Sequence, residues 1–302
     1  MNTQKNPALG RLALIATTFI WGTSFVIQKN TLDNISTLYL LAFRFTAAAV
    51  LLFLFGIKSV KKIDREYLKG GAIMGIALAV AYIVQTYGLV YTTPGKNAFL
   101  TSSYCIITPF LYWIYKRRRP GKHNFIAAFL CIIGVGLISI DGELSINLGD
   151  GLTIICGLFY AIHILVTEKY AEGKNPALLT AIQFAVGAVI LWVLAIVFEP
   201  APTNIPQSAW VSIAYLSVMC SAICFLLQTY GQMNTPASQA AILLTLESVF
   251  GTVISIIFYH EKMSYRLALG FAVMFVAVLI SETKLEFLKP KKDTRARPCE
   301  KN

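Results

Sequence analysis

The sequence predicts an all-α integral membrane protein with ten transmembrane helices, arranged as two inverted five-helix repeats around a central cavity. Composition is the first observation behind this prediction. Of 302 residues, 56% are hydrophobic and 14% are charged, whereas soluble domains are about 45–50% apolar and about 25% charged. The second observation is a succession of long apolar runs along the chain. The third is that short segments of the first half recur, in the same order, in the second half.

Each apolar run is long enough for one membrane crossing. The hydrocarbon core of a bilayer is about 30 Å thick, and about 20 apolar residues in a helix span it. The runs are continuously apolar, whereas strands of a membrane barrel alternate apolar and polar residues. Pro109 lies inside the fourth run and is expected to kink that helix. The predicted helices cover residues 10–28, 37–57, 70–91, 97–115, 124–140, 151–169, 177–198, 208–230, 237–259 and 266–282.

Basic residues predict the orientation of these helices. Lys and Arg gather in the cytoplasmic loops of membrane proteins. With the N-terminus inside, 21 of the 26 Lys and Arg residues fall on the cytoplasmic side. We therefore predict a multi-pass protein of the plasma membrane with both termini in the cytoplasm and a basic cytoplasmic tail over residues 289–302. The same distribution accounts for most of the formal net charge of +11, so no nucleic-acid partner is expected.

The recurring segments define two halves of the chain. In the first two helices of each half the best offset is about 139 residues. Five crossings are an odd number, so the second half enters the membrane from the opposite side. We predict a first repeat over residues 1–140 and an inverted second repeat over residues 141–288, a plan that recurs in secondary transporters. At offsets of 142 or 143, residues 85–88 (QTYG) recur at 228–231, residues 93–94 (TP) at 235–236, and residues 137–139 (LIS) at 279–281.

Short motifs in both halves also carry a family resemblance. The motifs are Trp21–Phe25 (WGTSF), Phe43–Phe45 (FRF), Tyr91–Thr93 (YTT), Leu246–Phe250 (LESVF) and His260–Lys262 (HEK). Together they resemble the EamA family of the drug/metabolite transporter superfamily, and the likeness covers roughly residues 10–283. The resemblance implies a ten-helix permease, commonly an exporter of amino acids or other small metabolites.

Polar side chains inside the apolar runs predict a substrate cavity. Polar groups in hydrocarbon are costly and normally face the bundle interior or a wet cavity. The first predicted helix carries Trp21, Ser24 and Gln28, and the sixth carries Tyr160, His163 and Thr167 at the equivalent positions. The fourth predicted helix adds the hydroxyls of Thr101 and Thr108. The alternative is helix packing, because Ser, Thr and Gln also form hydrogen bonds across helices. The predicted substrate-binding residues are Trp21, Ser24, Tyr82, Gln85, Tyr104, Tyr160, His163, Gln228 and Glu247.

Three ionisable residues inside these runs have alternative roles. Glu247 is a candidate for proton coupling or for binding a substrate amine, and the alternative is a structural carboxylate hydrogen-bonded to a neighbouring helix. His163 is the second candidate for proton coupling, because imidazole titrates near neutral pH; the alternative is a buried histidine satisfied by a neighbour. Arg44 either meets a substrate carboxylate or, as the favoured alternative, snorkels toward the outer interface or forms a structural pair.

These features favour one function class. The leading hypothesis is a secondary transporter that works by alternating access on small metabolites, with amino acids or related compounds as the first substrate class and export as the expected direction. The alternative is a passive channel or facilitator for a small polar solute. An enzyme is not expected, because no clustered catalytic motif is present. No metal or other cofactor is expected. The expected partners are the lipid bilayer and a small-molecule substrate, in a monomer or weak homodimer.

Overall fold

A computed structural model of the protein describes residues 6–117, 119–139, 147–235 and 237–283. All regular secondary structure in these ranges is helical, with a 3-10 helix (Ile57–Lys62) after α2 and a π-helix (Leu216–Ile223) between α9 and α10. The predicted tail over residues 289–302 lies outside the described residues. The α-helices are α1 (Pro7–Thr31), α2 (Thr37–Gly56), α3 (Arg65–Val90), α4 (Pro94–Thr101), α5 (Tyr104–Lys116), α6 (Lys122–Ser139), α7 (Leu148–Ala171), α8 (Pro176–Phe198), α9 (Gln207–Tyr215), α10 (Cys224–Asn234), α11 (Ala237–Phe258) and α12 (Tyr265–Thr283).

The described helices confirm a multi-pass membrane protein. Seven helical spans in the described ranges are long and apolar enough to cross a membrane, counting α4 with α5 as one span and α9 with α10 as another. Three shorter apolar helices cover 122–138, 243–258 and 265–280. Together these occupy the ten segments that the apolar runs predict. The number of crossings itself remains a prediction.

Several helices begin at residues whose side chains cap them. A capping side chain accepts a bond from one of the first backbone N–H groups, which have no partner within the helix. Pro follows the cap at the start of α1, α4 and α8, where its missing N–H costs nothing. The capping residues are Asn6, Asp64, Thr93, Asn147 and Asn175.

The fourth predicted helix is interrupted at Ser102–Ser103, an irregularity that the sequence does not predict, while the kink expected at Pro109 remains a prediction. The backbone N–H groups of both serines bond to carbonyls three residues back, which tightens the chain into a turn. The Ser102 hydroxyl also donates to the carbonyl of Ala98 at 3.3 Å. Serine hydroxyls compete in this way with the regular helical bonds of the backbone. Pro109 lies inside α5, beyond the interruption.

The eighth predicted helix contains the π-helix, where the apolar pattern predicts a regular α-helix. The Ser221 hydroxyl donates to the carbonyl of Leu216, five residues earlier, at 3.0 Å. The carbonyl of Cys220 accepts a bond of 2.8 Å from the indole N–H of Trp21 on α1. The π-helix therefore frees backbone and side-chain groups to meet neighbouring helices, as π segments at functional sites often do.

Helix packing brings the two halves into contact throughout the bundle. α2 packs on α8, α3 on α7 and α8, α1 on α10 and α11, and α6 on α12. The largest apolar core lies around Phe45, Phe184 and Phe225, with Phe45 and Phe184 ring centroids 4.8 Å apart. A second core joins α4 to α12 through stacked rings of Phe99 and Phe271, 4.3 Å apart. The cores surround a cavity whose lining comes from α1, α2, α3, α4, α5, α7, α10 and α11.

α3 and α7 cross at Gly88 and Gly149, where α3 ends and α7 begins. A Cβ at Gly88 would lie 3.0 Å from the carbonyl oxygen of Gly149, so the two backbones approach closely. Beside this contact, Asp150 is 0% exposed, accepts a hydrogen bond of 2.5 Å from the Thr92 hydroxyl, and pairs with Lys96 at 3.5 Å. We call these five residues the acidic crossing.

α1 and α10 cross at Gly10 and Gly231, which are the positions equivalent to Gly149 and Gly88 at offsets of 139 and 143. A Cβ at Gly231 would lie 3.1 Å from the carbonyl oxygen of Gly10 and 2.6 Å from Cγ of Leu14. The backbone N–H of Asn6 donates to Oδ1 of Asn234 at 3.1 Å. We call Asn6, Gly10, Leu14, Gly231 and Asn234 the amide crossing.

Candidate substrate-binding cavity

One cavity inside the bundle is lined by all nine residues that the sequence predicts as substrate-binding. Their side chains come from helices of both halves, and most are buried. The arrangement gives them one shared space, while their contact with a substrate remains a prediction. They lie on α1 (Trp21, Ser24), α3 (Tyr82, Gln85), α5 (Tyr104), α7 (Tyr160, His163), α10 (Gln228) and α11 (Glu247).

Two further hydroxyls expected in the cavity lie outside its lining. The Thr108 hydroxyl donates to the carbonyl of Tyr104 at 2.6 Å, one turn earlier in its own helix. Thr167 is buried, and its hydroxyl has no partner among the described residues. The cavity follows α1 from Trp21 to Gln28, but on α7 its lining stops at Ile164. Matching sequence spacing therefore overestimates how far the cavity extends along the second half.

Aromatic rings form much of the wall. The ring of Trp21 lies 5.1 Å from that of Phe225, and the ring of Tyr160 lies 5.9 Å from Tyr82 and 6.4 Å from Tyr104. Most of these pairs are tilted or edge-to-face, the arrangements that aromatic quadrupoles favour. Phe225 carries no sequence signal that separates it from a core residue. The wall thus offers apolar surface with hydroxyl and indole groups at its edges.

Arg44 lies in the cavity, and the expectation that it snorkels to the interface is wrong. The side chain is 1% exposed, because α2 packs its Arg44 face against the π-helix. Its guanidinium donates to Ser221 Oγ at 2.5 Å, Gln28 Oε1 at 2.6 Å and the Tyr82 hydroxyl at 3.2 Å. All three acceptors are neutral. Two of the five guanidinium N–H donors therefore lack a partner among the described residues.

Glu247 is the buried carboxyl of the cavity. It is 5% exposed and has no hydrogen-bond or ion-pair partner among the described residues. The structural alternative requires a bond to a neighbouring helix, and the described part of the chain contains none. An unpaired buried carboxyl is costly. The cavity therefore holds a cation at Arg44 and an acid at Glu247 that form no ion pair with each other.

His163 has a neutral partner. Its Nε2 lies 3.1 Å from Oε1 of Gln183 on α8, and its ring centroid is 6.0 Å from that of Phe225. This contact satisfies one ring nitrogen, as the structural alternative requires, while the side chain still lines the cavity. Both roles of His163 remain predictions.

Hydrogen bonds hold two lining residues of the first half in place. Ser24 donates to the carbonyl of Trp21 at 2.7 Å. The cavity residue Asn97, which sequence reasoning missed although it is an amide in an apolar run, donates to Thr153 Oγ1 at 2.7 Å. Its Oδ1 is buried without a partner among the described residues.

In the described ranges, no group of three or more His, Cys, Asp and Glu could hold a metal ion.

Comparisons with known proteins agree with this architecture. A family model described as the EamA-like transporter family matches residues 8–140 and 147–283. An uncharacterized transporter of Archaeoglobus fulgidus is 30% identical over 270 residues, which cover 89% of this chain and 83% of that protein. A biotin transporter of Escherichia coli is 22% identical over 299 residues, which cover 95% of this chain and 98% of that protein. One crystal structure superposes with a TM-score of 0.70 over 92% of this chain and 98% of that chain, at 15% identity, a likeness of fold alone.

Proposed function

The chain belongs to the EamA-like transporter family, and from that premise we propose that it is a secondary transporter for amino acids or related small metabolites. It works by alternating access across the plasma membrane, and export is the proposed direction. Family membership and the apolar helices make it a multi-pass membrane protein of a transporter family. The substrate class, direction and mechanism are the proposal.

One observation carries the substrate class. The cavity buries the Arg44 guanidinium with two donors to spare and the Glu247 carboxyl with no described partner. Uncompensated buried charges are costly. A zwitterion offsets both costs at once, because its carboxylate meets the guanidinium and its ammonium meets the carboxyl. The aromatic wall then accommodates an apolar side chain. An α-amino acid combines these three features.

Helix pairing supports an inverted repeat of ten crossings. When each helix is replaced by its equivalent in the other half, at offsets of 139 to 143, the packed pair α3–α7 becomes the packed pair α10–α1. The same exchange leaves the packed pairs α2–α8 and α6–α12 unchanged. The two blocks matched by the family model also correspond to the two proposed repeats. In such transporters, rocking one half against the other opens a central site to each side in turn.

Labelling of single cysteines tests the proposed orientation. Thr203 lies in the exposed α8–α9 connection, and Lys61 lies in the exposed segment after α2. The positive-inside rule places Thr203 outside and Lys61 in the cytoplasm. We expect a membrane-impermeant reagent to label Thr203→Cys on intact cells and not Lys61→Cys. The background carries Cys299→Ser, because the other five cysteines are buried. Labelling of Lys61→Cys alone would overturn the proposed orientation.

Transport by the purified protein in liposomes tests the function. The probes are the twenty common L-amino acids and biotin, each in counterflow. Saturable counterflow of an amino acid supports the transporter, whereas flux without counterflow indicates a passive channel. Counterflow of biotin alone would overturn the amino-acid class and leave the carboxylate role of Arg44. Absence of flux for every probe would overturn the proposed substrate class.

Two variants test the charged groups. Arg44→Gln loses charge-assisted bonds to the substrate carboxylate, so we expect affinity to fall by about tenfold to a hundredfold. Glu247→Gln keeps the shape of the side chain but cannot titrate, so we expect exchange to continue while acceleration by a pH gradient is lost. Glu66→Gln, at an exposed position at the start of α3, is the matched control. Gradient-driven transport that persists in a folded Glu247→Gln protein would remove Glu247 from proton coupling.

A further inference from the structure

The QTYG segment occurs once in each half. Its two glutamines line the same cavity but differ in their hydrogen bonding. Gln85 and Gln228 are equivalent at an offset of 143. Gln85 is engaged at both ends of its amide: Oε1 accepts from the Tyr160 hydroxyl at 2.7 Å, and Nε2 donates to Thr101 Oγ1 at 3.1 Å. This glutamine fastens α3 to α7 and α4. Both ends of its amide are thus already held by protein partners.

Gln228 has no hydrogen-bond partner among the described residues. The side chain is 4% exposed, and its Oε1 is fully buried without a donor. Interchanging the amide oxygen and nitrogen leaves the group equally unpartnered, so the observation does not depend on that assignment. A buried amide without a partner costs free energy that an apolar residue of the same size would not. Such a group is compensated when a ligand in the cavity supplies the missing partner.

We propose that Gln228 is a specificity-determining residue of the cavity, whose carboxamide oxygen accepts a hydrogen bond from the amine of the substrate. This inference rests on the proposed function and extends it. Among the other cavity acceptors without a described partner, the Glu247 carboxyl is the one that can carry a charge. A carboxylate alone attracts any cation, whereas two acceptors need a cation with at least two N–H groups. A primary ammonium has three N–H donors, whereas the tertiary ammonium of an N,N-dimethyl amino acid has one. The pair therefore selects primary amines over equally charged tertiary amines.

Binding by the purified full-length protein tests this selection. The probes are the twenty common L-amino acids, together with the N,N-dimethyl derivatives of alanine, leucine and phenylalanine. We expect the wild type to prefer each of the three parent amino acids. Gln228→Leu removes one hydrogen bond to the ammonium, so we expect about tenfold weaker binding of the parents. The preference over the dimethyl derivatives should shrink by the same factor, because those derivatives never used Gln228.

Thermal unfolding without ligand separates this role from a structural one. Gln228→Leu removes an unpartnered amide, so the empty variant should melt no lower than the wild type. Gln85→Leu is the matched control, and it should melt lower because Tyr160 and Thr101 lose their partner. Gln228→Met, an unbranched apolar chain of similar length, serves as a second variant.

The outcomes distinguish the inference from the proposed function. Unchanged affinity and unchanged preference in Gln228→Leu overturn the inference, while amino-acid transport still stands. Failure of both the Leu and Met variants to fold shows that Gln228 is structural and also overturns it. Absence of amino-acid binding by the wild type overturns the proposed substrate class and the inference together.

Discussion

The acidic crossing and the amide crossing occupy equivalent positions of the two halves but are held by different chemistry. Both bring a pair of glycines into close contact, Gly88 with Gly149 and Gly10 with Gly231. The acidic crossing adds the buried carboxylate of Asp150, with a charged and a neutral donor. The amide crossing adds a hydrogen bond between neutral groups. Shared backbone geometry is therefore combined with unequal interactions.

The difference bears on which crossing separates more readily. Separating the acidic crossing exposes the buried carboxylate of an ion pair, and hydrogen bonds to charged groups are about twice as strong as neutral ones. Separating the amide crossing breaks a neutral bond near the end of α1, where water can replace it. Under the proposed alternating access, each crossing separates in turn. We expect the amide crossing to separate at lower cost in free energy.

Removing the buried carboxylate should have the largest effect on this comparison. Asp150→Ala leaves the Lys96 ammonium and the Thr92 hydroxyl without their acceptor, so we expect a loss of about 2–3 kcal/mol in the free energy of unfolding. Denaturant unfolding of the purified protein measures it. Asp33→Ala, at an exposed position of the α1–α2 connection, is the control and should change stability little. Equal stability of the two variants would mean that the ion pair does not hold the acidic crossing.

Alanine at the crossing glycines should have an intermediate and unequal effect. A Cβ at Gly88 would lie 2.6 Å from Oγ1 of Thr153, which is held by bonds to Asn97 and to a backbone carbonyl and cannot easily move. A Cβ at Gly231 meets chiefly the flexible side chain of Leu14. We expect a loss of about 2 kcal/mol for Gly88→Ala and about 1 kcal/mol for Gly231→Ala.

The same unfolding measurement compares the two alanine variants. A larger loss for Gly231→Ala than for Gly88→Ala would show that packing against Leu14 is the tighter constraint. The predicted order of the two crossings would then be reversed.

The smallest effect is expected at the amide crossing. Asn234→Ala removes the acceptor of the Asn6 backbone N–H, which lies at an exposed helix end and can bond to water instead. We expect a loss of at most about 1 kcal/mol. Transport kinetics give a second measure, because a weaker amide crossing should separate more often. A stability loss as large as that of Asp150→Ala would contradict the ranking.

Much of the architecture is predictable from the sequence, because apolar length and helix caps are local properties. The apolar runs locate all the described helical spans to within a few residues. Polar side chains within a membrane helix normally face the interior of the bundle, because hydrocarbon solvates them poorly. This is why Glu247 and Tyr82 line the cavity as expected. The break at Ser102 and the π-helix depend on bonds between particular groups, and hydropathy does not report those.

The charges of the cavity illustrate what a sequence cannot supply. Arg44 has the long side chain that usually snorkels, and only the packing of α2 against the π-helix turns it inward. The difference in hydrogen bonding between Gln85 and Gln228 is equally hidden, because both residues begin the same four-residue segment, QTYG. Whether an amide is satisfied depends on partners far along the chain, such as Tyr160.

The π-helix over Leu216–Ile223 also sets the rotational register of the cavity lining. Each residue of an α-helix turns the chain by about 100°, and a π turn contains more residues than an α turn. If the same residues rewound as a regular α-helix, with none deleted, Phe225 and Gln228 would rotate relative to α9 by roughly that angle. The lining would then face different neighbours, while the membrane span would stay apolar and long enough. A change between π and α winding would thus redirect the second-half lining without any change of sequence.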